Sequence, residues 1–285
     1  MIFLYEWGKK MDAIHLLFTL DNRYLHQLQV LLTSLHINNP DENFKIYLIH
    51  KDLTEKNVEN ISQQCRAYGY SFFSIQADDT LFSNAPVSRQ YPQEMYYRML
   101  ASHLLPEDVK KIIYLDPDIL IINPLRPLWE TDLKGYLFAA AAHSGKTELV
   151  HSVNRVRLKT QHDYYNSGVL LMDLEAGRRE IIPEQLFIYA KEHASELLLP
   201  DQDMLNTLFG EQILPLDDAI WNYDARDYKG YYLCSNGKYD LDWVIEHTAI
   251  LHFCGKAKPW KKGYLYRFGL LYKHYEQLTR HQKIL

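Results

Sequence analysis

The tripeptide Asp116-Pro117-Asp118 interrupts an otherwise apolar run, "YLDPDILI" at 114–121. A carboxylate buried without a partner costs several kcal/mol, so two of them beside one proline need an explanation. One reading ends a strand at Leu115 and leaves both aspartates in the following turn. The other has the strand deliver both carboxylates to one point. Alternate residues of an extended chain share a side, and Pro117 stiffens the backbone between them and donates no ladder hydrogen bond. Paired hard oxygen ligands suit Mg²⁺ or Mn²⁺ bridging a diphosphate.

A second group lies in "LHFCGKAKPW" at 251–260. His252 ends an apolar run, Gly255 permits a close backbone approach, and Lys258 offers a point charge for a phosphate. His252 alone reads as well as a structural histidine. With a glycine and a lysine in the same turn it becomes a candidate nitrogen ligand, which tilts the cation towards Mn²⁺. Three shorter stretches add polar side chains at element boundaries. In "LPDQDMLNTLFG" (199–210), Asp201 is either an N-cap or, with Gln202, a hydrogen-bonding partner for sugar hydroxyls. In "YYNSGVLLMDL" (164–174), Asn166 and Gly168 precede a strand, and in "FTLDNRYL" (18–25), Asp21 and Tyr24 follow one.

Elements must bring these residues together. Strands are expected at 14–19, 45–50, 70–75, 111–116, 136–141, 168–174 and 248–253. Helical spacing joins Tyr24, Leu28, Leu31, Leu32 and Leu35, and a second helix, capped by Thr54 and stopped by Gly69, buries Val58, Ile61, Cys65 and Tyr68. Strand–helix alternation of this kind predicts an α/β fold with a mostly parallel sheet covered by helices. Ligands of such sheets bind beyond the carboxyl ends of the strands, which is where the polar groups fall.

Composition narrows the function. The 285 residues carry 31 Lys+Arg against 36 Asp+Glu, a net charge of -5, which argues against a general nucleic-acid binder. Three widely spaced cysteines (Cys65, Cys234 and Cys254) make no CxxC and fit a reducing compartment, so a cytoplasmic location is expected. No run of about 18 apolar residues is present, which excludes a helical membrane span. The 22 tyrosines suit sugars and bases as readily as a core. Residues 1–10 read as an N-terminal extension, 11–260 as one catalytic domain and 261–285 as a helical extension packed on it.

In this order the motifs resemble glycosyltransferase family 8, retaining enzymes with a GT-A fold that use UDP-sugars. The resemblance is nearest to the bacterial lipopolysaccharide α-galactosyltransferase branch. It runs from about Ile14 to Trp260 and rests on "YLDPDILI", "YNSGVLLMDL", "DQDMLN" and "HFCGKAKPW", the last being the most diagnostic. It implies that Asp116, Asp118 and His252 bind Mn²⁺ (or Mg²⁺), and that Asp21 and Tyr24 hold the uracil. It implies that Gly255 and Lys258 contact the diphosphate, and that Arg98, Asn166 and Asp201 contact the donor sugar. Gln202 would lie near the anomeric carbon.

The expected reaction moves galactose or glucose from a UDP-hexose to a glycan or lipid-linked acceptor. An amide is a poor nucleophile and Asp203 should point away, so same-face attack is expected rather than a two-step route. A non-catalytic sugar-nucleotide or glycan binder and a nucleotidyltransferase are the alternatives. Arg23 departs from the family pattern, where a small polar residue stands, and 143–163 diverges, so the acceptor does not transfer. After Trp260 the long basic, aromatic tail that anchors some relatives to membrane is not expected. Tyr264, Tyr266, Arg267, Phe268 and Tyr272 could make weak membrane-surface contact, although core packing explains them too. Oligomeric state is not legible.

Overall fold

In the first apolar run, side chains alternate between two buried faces. Leu17 joins one core cluster with Tyr47, Ile49, Tyr114 and Leu170, while Leu16 and Phe18 join another with Ile46, Leu48, Ile113 and Leu171. Strands buried on both sides need helices on both sides, and the computed structural model has them. It describes residues 12–77, 94–143 and 155–282, with Thr80, Phe82, Ala85 and Val153 in addition. The proposed extension at 1–10 and much of 75–92 and 143–163 lie outside the described residues.

The strands are β1 (Ile14–Thr19), β2 (Phe44–His50), β3 (Ser71–Gln76), β4 (Lys111–Leu115), β5 (Ile119–Ile121), β6 (Phe138–Ala141), β7 (Val169–Asp173), β8 (Ile213–Leu216), β9 (Tyr223–Asp224) and β10 (Ile250–His252). Seven form one sheet in the order β3-β2-β1-β4-β7-β6-β8, and β5-β10-β9 form a second. Neighbours β3, β2, β1 and β4 run parallel, while β7 is antiparallel to both β4 and β6. The sheet is thus mainly parallel, with one reversed strand.

The two helices expected from periodicity are present. Helix α1 spans Leu25–Asn38 after a short 3₁₀ turn at Asn22–Tyr24. Helix α2 spans Glu55–Ala67; Thr54 accepts a hydrogen bond from the Asn57 amide at its start, worth about 1 kcal/mol for such caps. At its end Gly69 adopts φ +75°, the left-handed conformation that stops helices.

Two expectations change. "YLDPDILI" is not one strand: β4 ends at Leu115, the Asp-Pro-Asp segment turns, and β5 begins in the other sheet. Within the helical extension expected at 261–285, the last helix is confined to Gly269–Gln282. It packs against α1, where Asn38 Nδ2 donates to Tyr275 Oη (2.8 Å) and Thr279 Oγ1 to Thr33 Oγ1 (2.9 Å). Phe268 and Tyr272 are buried in a third core cluster with Leu251 and Phe253. Leu265 and Tyr266 are exposed. Among the described residues no helix is long and apolar enough to cross a membrane.

Candidate active site

The junction between the two sheets positions the acidic pair. The Asp116 amide donates to Gly168 O (2.8 Å), prolonging the β4–β7 ladder, and the Phe253 amide donates to Asp118 O (2.9 Å), prolonging β5–β10. Each aspartate is therefore held by a different sheet, and the register pairing His252 with Ile119 sets the imidazole beside them. His252 Nε2 lies 3.2 Å from Asp118 Oδ1 and 3.8 Å from Asp116 Oδ2. Ligand atoms of the three residues fall within 4.8 Å of one another.

Two carboxylates and an imidazole form a donor set suited to a divalent cation. The cradle around them is tight. A Cβ on Gly168 would stand 2.4 Å from His252 Cε1 and 2.6 Å from Asp116 Oδ2, so only glycine fits. The residues present fit a cation such as Mn²⁺ or Mg²⁺.

Charge around the pair is balanced by cations from other elements. Lys258 Nζ bonds Asp118 Oδ2 and donates to Phe253 O (2.8 Å). Arg98, on helix α3 (Glu94–Met99), reaches Asp116 Oδ1 (3.0 Å) and Asp201 Oδ2 (3.2 Å), with its guanidinium over the Tyr114 ring. Burial alone would raise the Asp118 carboxyl, but His252 and Lys258 outweigh it and hold it well below the usual range. Burial likewise opposes a charged His252, and Cys254 and Asp118 reverse that, raising the imidazole well above its ordinary value.

The helix Pro200–Phe209 supplies the next residues. Its N-cap is Leu199, without a side-chain cap bond, so Asp201 is not the cap that its position allowed. Asp201 Oδ2 instead accepts from Ser167 Oγ (3.1 Å) and faces Arg98. Gln202 Oε1 accepts from Asn166 Nδ2 (3.0 Å). Asp203 is fully buried and accepts from both terminal nitrogens of Arg157 (2.7 and 2.8 Å), from Tyr164 Oη and from the amides of Leu198 and Leu199.

The nucleotide candidates lie beyond β1. Tyr24 is half-buried, edge-on to Trp260 at 6.2 Å between centroids. The Asp21 carboxylate is occupied by Arg23, through its amide (2.7 Å) and its guanidinium (2.5 Å). Gly255 sits at φ +75°, where a Cβ would meet Arg226 Nη1 at 2.1 Å.

Several residues here escaped the sequence reading. Asn222 is fully buried between His252 Nδ1 (2.8 Å) and Asn166 Oδ1 (2.9 Å). His143, Asp224 and Cys254 form a second buried group of possible ligands. There, however, Arg226 already clasps Asp224 through two nitrogens (2.6 and 2.9 Å) and lowers its carboxyl to about 2 against the effect of burial. The Asp224 carboxylate is thus already paired with a guanidinium. The only sequence signal for Asn222 and Asp224 was a polar, aromatic, turn-rich stretch after 215.

A mainly parallel seven-stranded sheet, with an acid–imidazole cluster at the carboxyl end of a central strand, defines a GT-A type fold. Solved structures agree: galactosyltransferase LgtC, in complex with donor and acceptor sugar analogs, superposes with TM-score 0.76 at 22% identity, covering 93% of this chain and 96% of that one. The glycosyltransferase GlyE of Streptococcus pneumoniae TIGR4 superposes with TM-score 0.69 at 22% identity, covering 95% of this chain and 62% of that one.

The chain belongs to glycosyl transferase family 8, whose family model matches residues 15–263. It is 28% identical over 280 residues to general stress protein A of Bacillus subtilis (strain 168), covering 95% of this chain and 96% of the relative. It is 24% identical over 274 residues to a lipopolysaccharide 1,2-glucosyltransferase of Escherichia coli (strain K12), covering 92% and 77%.

Proposed function

We propose that this family 8 glycosyltransferase moves a hexose, galactose or glucose, from a UDP-sugar to a glycan or lipid-linked acceptor, with retention of configuration. One observation carries the reading: Asp116, Asp118 and His252 converge with Lys258 at the sheet junction. The relatives named as a lipopolysaccharide glucosyltransferase and as a galactosyltransferase point to the same substrate class. The protein would work in the cytoplasm, in keeping with three unpaired cysteines.

Asp116, Asp118 and His252 would hold Mn²⁺ or Mg²⁺, which when bound supplies positive charge opposite the leaving diphosphate. Lys258 presents a second positive charge at the same point, and charge aimed at a leaving group is generally the largest catalytic contribution. Gly255 lets the chain turn tightly beside it. Tyr24 offers a ring face to the base. Asp21 contributes its carboxylate only if Arg23 shares or releases it. Arg98 places Asp201 and Ser167 as a polar wall for the sugar hydroxyls, and Asn166 orients Gln202 beside them.

Retention needs either a covalent intermediate or same-face attack. Asp203 has every carboxylate oxygen engaged and faces the protein interior. Asp201 is tied to Arg98 and Ser167. Gln202 already accepts a hydrogen bond and is an amide. Same-face attack is therefore the reading these residues support, with the leaving phosphate taking the acceptor proton.

Thermal melting tests the donor class, because a ligand of the native state raises Tm by mass action. UDP with Mn²⁺ should raise Tm more than either alone. A shift with a purine triphosphate and none with UDP and Mn²⁺ would sink the reading in favour of a nucleotidyltransferase. A shift without UDP release from any UDP-hexose, given a range of glycan acceptors, would leave a binding protein.

A further inference from the structure

Four side chains form one hydrogen-bonded line across the site. His252 Nδ1 lies 2.8 Å from Asn222 Oδ1, Asn222 Nδ2 lies 2.9 Å from Asn166 Oδ1, and Asn166 Nδ2 lies 3.0 Å from Gln202 Oε1. The oxygen and nitrogen of an amide have nearly the same shape, so the direction of such a line must be settled by a neighbour that can only donate or only accept.

The backbone amide of Gly168 is that neighbour. It stands 3.0 Å from Asn166 Oδ1 and can only donate, so the atom it meets is an oxygen. That oxygen then takes its second hydrogen bond from Asn222, whose facing atom must be Nδ2. The opposite end of Asn222 is therefore Oδ1, an acceptor, and His252 Nδ1 must carry a hydrogen. In the neutral ring the lone pair is left on Nε2, the nitrogen that faces Asp116 and Asp118.

We propose that Asn222 is a positioning residue: polarised by the Gly168 amide through Asn166, it fixes His252 in the Nδ1–H tautomer and so readies Nε2 for a divalent cation. The inference rests on the metal-dependent reading above. Metal-binding imidazoles depend on such an outer hydrogen bond to set ring orientation and tautomer. Asn222 is well placed for the task, because its own backbone is pinned. Its amide donates to Asp218 O (3.0 Å), and its carbonyl accepts from His143 Nε2 (3.0 Å). The same line joins the cation site to Gln202, so the two ends of the site share one polarity.

The test uses the full chain with ¹⁵N-labelled histidine and four proteins: wild type, His252→Ala, Asn222→Ala and Asn222→Asp. Nitrogen NMR of the metal-free protein, at a pH where the ring is neutral, reads the tautomer, His252→Ala identifies the signal, and Mn²⁺ titration followed by EPR reads affinity. Asn222→Ala should lose the fixed tautomer and weaken Mn²⁺ binding by about ten- to a hundred-fold. Asn222→Asp gives up the donor to Asn166 Oδ1 but keeps an acceptor towards His252 Nδ1; because a carboxylate is the stronger acceptor, it should retain both tautomer and affinity.

Unchanged affinity in Asn222→Ala with loss in His252→Ala overturns the inference and leaves the metal reading standing. Unchanged affinity in both overturns the metal reading and the inference with it. Weakened affinity with a wild-type tautomer also overturns it, since a merely structural role would behave so. If melting curves show that Asn222→Ala is not folded, Asn222→Asp decides: loss of affinity there sinks the proposal.

Discussion

Of the three Asp-x-Asp tripeptides in this chain, two lie near the site, at 116–118 and 201–203, and they do opposite things. Asp116 and Asp118 flank Pro117 in a turn between strands, and both carboxylates approach His252 Nε2. Asp201 and Asp203 flank Gln202 in the first turns of a helix, where residues two apart are separated by about 200° around the axis. Asp201 accordingly faces Arg98 and the site, while Asp203 faces inward to Arg157. Identical spacing gives a convergent pair in one backbone conformation and a divergent pair in the other.

Partners differ as well. Asp118 is matched by a lysine and an imidazole, groups that a bound cation and diphosphate can replace or join. Asp203 is matched by a guanidinium, a phenol and two backbone amides, which fill its acceptor capacity. The proposed function asks the first arrangement to exchange partners with ligands, whereas the second has no acceptor left to exchange.

The sharpest break of this comparison removes one carboxylate of each pair. Asp118→Asn should lower turnover by about a thousand-fold, the scale of losing several kcal/mol of charge stabilisation. Release of UDP from UDP-galactose and UDP-glucose measures it, and equal turnover would show that the pair carries no cation. Next, Arg157→Ala should leave Asp203 buried and unpaired and cost about 3–5 kcal/mol of stability. Urea denaturation reads this, and turnover of the folded fraction should stay near wild type.

Smaller effects sharpen the contrast. Gly168→Ala places a methyl against His252 and Asp116, and should weaken Mn²⁺ binding by about ten-fold or more, a loss of about 1.4 kcal/mol at least, with less effect on melting than Arg157→Ala. The smallest signal is in acid. Asp203 is opposed by burial, but Arg157, Tyr164 and the two amides hold its carboxyl below the ordinary value. Its contribution to stability is therefore present above the unfolded carboxylate range, about pH 4, and lost as pH falls through the folded value. Stability of Asp203→Asn should fall less steeply below pH 4 than that of wild type. An identical slope would show that Asp203 carries no such linkage.

Much of the first half of the fold was legible because it is built from local signals. Apolar runs of strand length alternate with helical spacing, and Thr54 and Gly69 mark α2 at both ends. The short strands β5, β8 and β9 were missed because two to four residues carry no readable period and owe their existence to pairing partners. Asp201 looked like a cap because a proline precedes it; the cap position falls at Leu199 instead, since Pro200 itself begins the helix. Asn222 was illegible for a different reason. Nothing in "DAIWNYDAR" distinguishes one amide from the surface, and only the approach of β9 to β10 sets it against His252.

By itself the sequence determined the kinds of chemistry available: hard oxygen ligands, one imidazole, one lysine and several amides at element boundaries, in a family 8 order. It also determined, through periodicity, that a layered α/β sheet would carry them. The tertiary structure alone decided which Asp-x-Asp pair converges, because that depends on whether the backbone is turned or helical. It alone decided the direction of the amide line to His252, because a single backbone N–H, that of Gly168, fixes the polarity of side chains far from it in the chain.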